Sequence, residues 1–145
     1  MKTTLRWTEG MAFVASNGEK EIITDAKPPI GRGTGLTPKE LVVAGLAGCT
    51  AVDVVAWLKK HKQAYTKIDV DTEVGTTTGV YPAVFTDAML NFSVEGQVDK
   101  DILLEGIRLS QTKYCGVSAM LSEAFPIRYQ VILNGEKVGE GQAEF

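Results

Sequence analysis

Hydrophobic and polar residues alternate in two neighbouring stretches near the middle of the chain. In residues 68–74, isoleucine, valine and threonine alternate with aspartate and glutamate, and a second alternating stretch covers residues 84–94. A period of two is typical of a strand that buries one face. The glycine- and threonine-rich residues 75–79 between the stretches are typical of a turn. We therefore predict an antiparallel hairpin that packs on one side.

Further strands are predicted near both ends of the chain. Hydrophobic residues alternate weakly around residues 5–7 and over residues 11–15, and Ser-Asn-Gly at residues 16–18 is a tight-turn signal before a returning strand at residues 21–24. Towards the other end, residues 127–133 alternate clearly. They are followed by an Asn-Gly pair that permits a terminal hairpin.

The first helix has a well-marked start. Residues 37–40, Thr-Pro-Lys-Glu, form a capping box in which the threonine and Glu40 each bond the other's backbone N–H. The helical pattern then runs to about Lys60. Residues 41–58 are almost wholly apolar, but the stretch is short for a membrane span and contains Asp53. We interpret it as the buried central helix of a globular protein.

A second helix is predicted from about Lys100 to Lys113, with Asp99 as its N-terminal cap. Residues 114–116, Tyr-Cys-Gly, interrupt it because glycine is unfavourable inside a helix. A further helical piece at residues 117–124 ends before a proline. The predicted order is β-β-α-β-β-α-α-β, with a further terminal strand, which indicates an α+β fold with antiparallel sheets.

Length and charge narrow the class of protein. The chain has 145 residues, which fits one domain over residues 1–145. A net charge of −3 argues against nucleic-acid binding, which requires a basic surface. The first residues lead into charged sequence and lack the apolar segment of a signal peptide. We therefore expect a cytoplasmic protein with reduced thiols and with neither a nucleic-acid nor a membrane partner.

The two cysteines, Cys49 and Cys115, are the residues that offer redox chemistry. They are too far apart for a CxxC motif and too few for a zinc site, so we expect no metal. The pattern leaves two interpretations open. Free cysteines are often small buried hydrophobic residues, and composition alone favours this inert role. If the two side chains meet in space, they form a reactive dithiol.

The local surroundings of the cysteines favour a functional site. Asp53 lies four residues after Cys49, on the same helix face, and a carboxylate in an apolar helix needs a polar partner. Cys115 lies where one helix ends and another begins, where free N–H groups stabilise a thiolate. The flexible, glycine-rich residues 31–35 lack the full dinucleotide or P-loop fingerprint, but they carry Arg32 as a mobile cation.

Two motifs resemble those of the OsmC/Ohr family. Residues 35–41 (GLTPKEL), followed by residues 44–50 (AGLAGCT), resemble the first cysteine motif of the family. Residues 115–121 (CGVSAML) resemble the second, in which many members have proline after the cysteine. The order of the predicted elements also agrees, so that the resemblance spans nearly the whole chain.

The resemblance implies an intertwined homodimer in which antiparallel sheets from both chains wrap around long central helices. The two cysteines of the family lie together at the dimer interface, and its better-known members are thiol peroxidases that reduce organic hydroperoxides in oxidative stress defence. On this basis Cys49 is the peroxidatic residue that becomes a sulfenic acid, and Cys115 resolves it to a disulfide. An external dithiol then reduces the disulfide, and no cofactor is expected.

The sequence departs from the peroxidase pattern at two positions. Peroxidase members have glutamate directly after the proline of the first motif, whereas this chain has Lys39 there and Glu40 one residue later. They also have an arginine in the N-terminal hairpin. Residues 8–11 contain none, and Arg6 and Arg32 are the nearest candidates. These features resemble a divergent, YhfA-like branch. They leave two alternatives to a peroxidase: a non-enzymatic small-molecule-binding or redox-sensing protein, and purely structural cysteines.

Overall fold

Strands and helices follow one another in the order β-β-β-α-β-β-α-α-β-β, which confirms the predicted α+β class. The structure is a computed structural model that describes residues 1–145. Its internal contacts divide the chain into two compact units, Met1–Ala44 and Gly45–Phe145. A single domain over residues 1–145 stays a prediction. Each unit contains one sheet.

The first unit contains one strand more than predicted. Its sheet has the order β1 (Thr4–Glu9), β2 (Ala12–Ser16) and β3 (Glu21–Thr24), and both pairings are antiparallel. The additional turn lies at Gly10, whose φ of 53° reverses the chain between β1 and β2. The side chain of Trp7 closes this turn, since its Nε1 donates to the Gly10 carbonyl at 3.0 Å. The hydrophobic residues of this segment alternate too weakly to predict the β1–β2 hairpin from sequence.

The long helix α1 (Pro38–Lys60) begins in the first unit and continues into the second. Its buried residues recur at every fourth position and form a single stripe: Leu46, Thr50, Val54 and Leu58. Val52, by contrast, is 69% exposed. Within one chain the prediction of a helix buried on all sides is therefore wrong, because one face packs and another meets solvent. By length and a mean hydropathy of 2.0, α1 could cross a membrane, but core helices meet the same criterion.

The sheet of the second unit has the order β4 (Ala64–Thr76), β5 (Phe85–Gln97), β6 (Ile127–Leu133) and β7 (Glu136–Gln142). The predicted β4–β5 hairpin is confirmed, and β5 buries alternate residues as its pattern indicates. One pairing departs from the expected antiparallel sheet, because β5 and β6 are parallel. The helical segment between them brings the chain back to the end of the sheet at which β5 begins, so that β6 can run in the same direction.

Three helical pieces make this connection: α2 (Lys100–Leu109), a π-helical turn (Ser110–Tyr114) and α3 (Gly116–Ser122). Asp99 caps α2 as predicted, since its carboxylate accepts from the N–H groups of the second and third helical residues. The predicted helix therefore reaches Tyr114, but its last turn is π-helical, a form that is frequent at functional sites. The predicted interruption at Cys115 is confirmed, since this residue is extended between the two helical pieces.

A glycine allows α2 to approach α1 closely. A Cβ atom added to Gly106 would lie 2.5 Å from Cδ1 of Trp57, which is closer than two carbon atoms can approach. The indole Nε1 of Trp57 donates to the carbonyl of Ile102 in α2 at 2.9 Å. Glycine inside α2 costs helix propensity, but it lets the indole lie against the helix backbone.

We expect Gly106→Ala to lower the free energy of unfolding by about 1–3 kcal/mol, because the added methyl group overpacks the contact with Trp57. Chemical denaturation monitored by tryptophan fluorescence measures the change. Gly116→Ala is the matched control, because a Cβ atom there meets nothing within 4 Å. It should change stability by no more than about 1 kcal/mol. Equal effects of the two substitutions would contradict this account of the α1–α2 contact.

Candidate active site

Two thiols and a carboxylate lie together in the second unit. One ligand atom each of Cys49, Asp53 and Cys115 lies within 4.8 Å of the others. Helix α1 supplies Cys49 and Asp53 from the same face, and the junction before α3 supplies Cys115. Both cysteines are free thiols, Cys49 half-buried and Cys115 buried. The structure therefore brings together the two cysteines and the acid that the sequence singled out.

The break between the π-helical turn and α3 positions the second thiol. The backbone of Cys115 is extended, with φ −73° and ψ 97°, and its N–H donates to the Ser110 carbonyl at 2.9 Å. Cys115 is also the N-terminal cap of α3, because its Sγ accepts from the N–H of Ser118 at 3.3 Å. These two bonds fix the side chain in the direction of Cys49.

Burial dominates the acidity of this thiol. It raises the pKa of Cys115 above the usual value, since a thiolate loses solvation in an apolar interior. The hydrogen bonds from Ser118 act in the opposite direction, and the neighbouring Cys49 raises the pKa further. The prediction that the helix start lowers the pKa of Cys115 is therefore wrong. The hydrogen bond from the Ser118 N–H is present, but burial outweighs it. Cys115 is protonated at neutral pH.

Asp53 has the polar partner that its place in an apolar helix requires. Ser110 Oγ donates to Asp53 Oδ2 at 2.9 Å and lies 2.8 Å from Thr50 Oγ1. Gln111 Nε2 donates to Thr50 Oγ1 at 2.8 Å. Because the single hydroxyl proton of Ser110 goes to the carboxylate, Thr50 must donate to Ser110. The hydrogen bonds thus run in one direction, from Gln111 through Thr50 and Ser110 to Asp53.

Sequence reasoning missed the three residues that make up this chain. Thr50, Ser110 and Gln111 are fully buried. Thr50 occupies one position of the apolar stripe of α1, where a polar residue could have been noticed. Nothing in the sequence indicates that Ser110 and Gln111 face it, because the π-helical turn rotates them away from the α-helical pattern.

A cleft of about 220 Å³ reaches the carboxylate of Asp53. It is lined by Asp53, Ala56, Trp57, Lys60, Gly106 and Tyr114. Lys60 brings a cation to this cleft and lies 5.5 Å from the ring centroid of Trp57. The two aromatic residues form apolar walls, so that the cleft combines a hydrophobic surface with charges of both signs.

Arg32 lies in the first unit, in a loop that is more ordered than predicted. Its guanidinium pairs with Glu9. The buried carboxylate of Asp25 accepts from the N–H groups of Ala26, Arg32 and Thr34 and from the Thr34 hydroxyl, at 2.7–3.2 Å. These bonds lower the pKa of Asp25, that from the Thr34 backbone most. The prediction of a flexible linker is therefore wrong, and the supporting role of Arg32 stays a prediction.

Glu40, also in the first unit, forms the predicted capping box. Its Oε2 accepts from the N–H of Thr37 at 2.8 Å, while Thr37 Oγ1 accepts from the N–H of Glu40 at 3.3 Å. Lys27 Nζ lies 2.7 Å from Glu40 Oε1. The bond from Lys27, followed by those from Thr37, lowers the pKa of Glu40 from 4.5 to about 2. The carboxylate therefore caps the helix, and its supporting role in chemistry stays a prediction.

Comparison with known proteins identifies similar chains. A family model described as OsmC-like protein matches residues 31–130. Protein YhfA of Escherichia coli K12 is 33% identical over 143 residues, which cover 91% of this chain and 98% of YhfA.

Two crystal structures show the same fold. A protein from Aquifex aeolicus VF5 has a TM-score of 0.78 at 24% identity, covering 92% of this chain and 96% of that one. The organic hydroperoxide resistance protein OsmC from Legionella pneumophila has a TM-score of 0.66 at 16% identity, covering 91% of this chain and 97% of that one. At these identities the likeness concerns the fold alone.

The low pKa of Glu40 predicts a contribution to stability that depends on pH. Since the folded-state pKa of about 2 lies below the ordinary 4.5, the ionised carboxylate stabilises the folded protein above pH 4.5. This stabilisation is lost as the pH falls towards 2. We expect Glu40→Gln to lower the melting temperature at neutral pH. The difference in melting temperature between this variant and the unmodified protein should disappear as the pH falls from 4.5 to about 2. Glu19→Gln, at an exposed turn, serves as the control. A difference that does not change with pH would contradict the prediction.

Proposed function

Because this chain belongs to the OsmC-like protein family, we propose that it is a thiol-dependent peroxidase that reduces organic hydroperoxides in oxidative stress defence. One observation carries the proposal: two free thiols and a carboxylate have ligand atoms within 4.8 Å of one another. The Legionella protein of the same fold is named for organic hydroperoxide resistance. The apolar walls of the neighbouring cleft suit a hydroperoxide with a hydrocarbon portion.

We assign the attack on peroxide to Cys49, which is half-buried and therefore the more accessible thiol. Its sulfur bonds to one peroxide oxygen, the O–O bond breaks, and the alcohol leaves after taking up the thiol proton. Cys49 is then a sulfenic acid. Asp53 lies within reach to transfer this proton, and the Ser110 hydroxyl orients its carboxylate.

Cys115 is assigned the resolving step. Its sulfur attacks the Cys49 sulfenic acid, a disulfide forms and water leaves. Burial keeps Cys115 protonated until then, so that it does not compete for peroxide. An external dithiol restores both thiols by exchange, and the cycle needs no bound cofactor. This chemistry suits the reducing cytoplasm, where we place the protein.

Turnover of tert-butyl hydroperoxide with a dithiol reductant tests the assignment. The unmodified protein should consume peroxide catalytically, and Cys49→Ser should reduce the rate to that of protein-free solution. Cys115→Ser should still form one sulfenic acid per chain, which a dimedone adduct identifies by mass spectrometry, but should not form the intramolecular disulfide. Circular dichroism of both variants controls for folding.

The alternative, a non-enzymatic redox-sensing or small-molecule-binding protein, makes a different prediction for the same experiment. It is motivated by the two departures from the peroxidase pattern, namely Lys39 in place of glutamate and the absence of arginine from residues 8–11. In that case Cys49 is oxidised once, or not at all, and peroxide consumption stops at one equivalent. A rate equal to that of Cys49→Ser would exclude the peroxidase.

We also propose that the protein is a homodimer, formed through the exposed face of α1. An apolar groove of about 390 Å³ lies along this face. It is lined by Ala51, Val52, Val55, Ala56, Lys59 and Ile68. A contiguous apolar surface of this kind is rarely left open to solvent. A second copy of α1 would cover it with side chains of matching character.

We expect sedimentation equilibrium to give the mass of two chains, and Val52→Asp to shift the protein to one chain, because a carboxylate would be buried without a partner. Val80→Asp is the matched control. Val80 is an exposed valine in the connection between β4 and β5, and its substitution should leave the dimer intact. A monomeric unmodified protein, or a Val52→Asp dimer of undiminished affinity, would contradict the proposed interface.

A further inference from the structure

We propose that the reduced protein binds one zinc ion through Cys49, Cys115 and Asp53. The three residues offer two sulfur atoms and a carboxylate oxygen that lie within 4.8 Å of one another. The site needs both thiols reduced, but it does not depend on peroxidase activity. Sequence spacing argued against zinc because two cysteines are too few. The fold adds the third ligand by placing Asp53 beside them.

The donor set suits zinc more than other common divalent ions. Zinc binds thiolates at about 2.3 Å and carboxylate oxygens at about 2.0–2.2 Å, usually in a tetrahedron. In such a tetrahedron the two sulfur atoms are separated by roughly 3.8 Å. The 4.8 Å limit that contains all three ligand atoms is compatible with this separation after small side-chain rotations. Magnesium and calcium require oxygen donors, which this site does not offer in sufficient number.

The geometry of α1 also favours a metal. Cys49 and Asp53 are four residues apart, and ligands at this spacing point from one helix face towards a common centre. The same spacing places the two histidines of helical zinc sites on one ion. Cys115 approaches from the junction before α3, so that the three ligands come from two separate elements.

Hydrogen bonds to the ligands form the outer shell that metal sites require. Ser110 donates to Asp53 Oδ2, which leaves the other carboxylate oxygen for the ion. Ser118 donates its N–H to Cys115 Sγ and so orients that sulfur. Both residues are themselves fully buried, which makes the directions of these bonds well defined.

One buried oxygen atom in the hydrogen-bond chain that ends at Asp53 has no hydrogen-bond partner. It is Oε1 of Gln111, whose amide group donates to Thr50. Unpartnered buried oxygens are uncommon and call for a partner such as a bound water. A water in the fourth position of a three-ligand zinc site is a hydrogen-bond donor of this kind.

The charges of the site are compatible with a bound dication. Two thiolates and a carboxylate carry a charge of −3, so the site with Zn²⁺ bound would have a net charge of −1. Lys60 lines the cleft that also contains Asp53, so that a cation is close enough to offset this excess. The same cleft provides a path from solvent to the carboxylate.

Titration of the reduced, metal-free protein with Co²⁺ tests the proposal, since cobalt replaces zinc in tetrahedral sites and absorbs visibly. We expect thiolate-to-cobalt charge-transfer bands that saturate at one ion per chain and disappear when Zn²⁺ is added. Asp53→Asn should weaken Zn²⁺ binding at least about tenfold, and Ser110→Ala by about 10–100-fold. Asp71→Asn, an exposed carboxylate on β4, is the matched control and should bind as the unmodified protein does.

X-ray absorption of the zinc-loaded, unmodified protein gives a second measurement that does not depend on how the variants fold. Two sulfur atoms at about 2.3 Å and oxygen at about 2.0–2.2 Å would support the site. Absence of the charge-transfer bands, a spectrum without sulfur, or equal zinc affinity of Asp53→Asn and the unmodified protein would overturn it. Zinc binding that survives oxidation of Cys49 and Cys115 to a disulfide would overturn it as well.

Discussion

The candidate active site depends on one buried chain of hydrogen bonds. Gln111, Thr50, Ser110 and Asp53 are joined in series at 2.8–2.9 Å, and the chain ties the middle of α1 to the π-helical turn. Each of these polar groups would be costly to bury alone, but each satisfies the next. Cys49 directly precedes Thr50, and the N–H of Cys115 donates to the Ser110 carbonyl, so the chain that satisfies Asp53 also holds the two thiols together.

This arrangement gives two similar thiols different surroundings. Cys49 is half-buried on a helix that carries a carboxylate one turn away, whereas Cys115 is buried and caps a helix. Desolvation raises the pKa of the buried thiol more than the helix N–H bond lowers it. An asymmetric pair of this kind suits sequential chemistry, in which one thiol reacts first and the other follows. The same closeness to Asp53 makes the reduced pair a candidate ligand set for zinc.

Much of the fold could be predicted from local patterns. The period of two in β4 and β5, the capping box at Thr37 and the Asp99 cap each act between residues that are close in sequence. The predictions that failed depend on distant or subtle contacts. The hairpin at Gly10 rests on one glycine conformation, and the parallel pairing of β5 with β6 depends on how the whole helical connection crosses the sheet.

Residue types and their spacing were sufficient to predict the α+β class, to reveal the family motifs and to single out the two cysteines as the chemical centre. The folded arrangement was needed to show that the two sulfurs and the Asp53 carboxylate lie within 4.8 Å of one another and that burial raises the pKa of Cys115. It also revealed that Thr50, Ser110 and Gln111 support the site. Sequence spacing could not show this, because solvation and hydrogen-bond direction depend on which side chains surround a group. Residues 60 positions apart in the chain supply those surroundings.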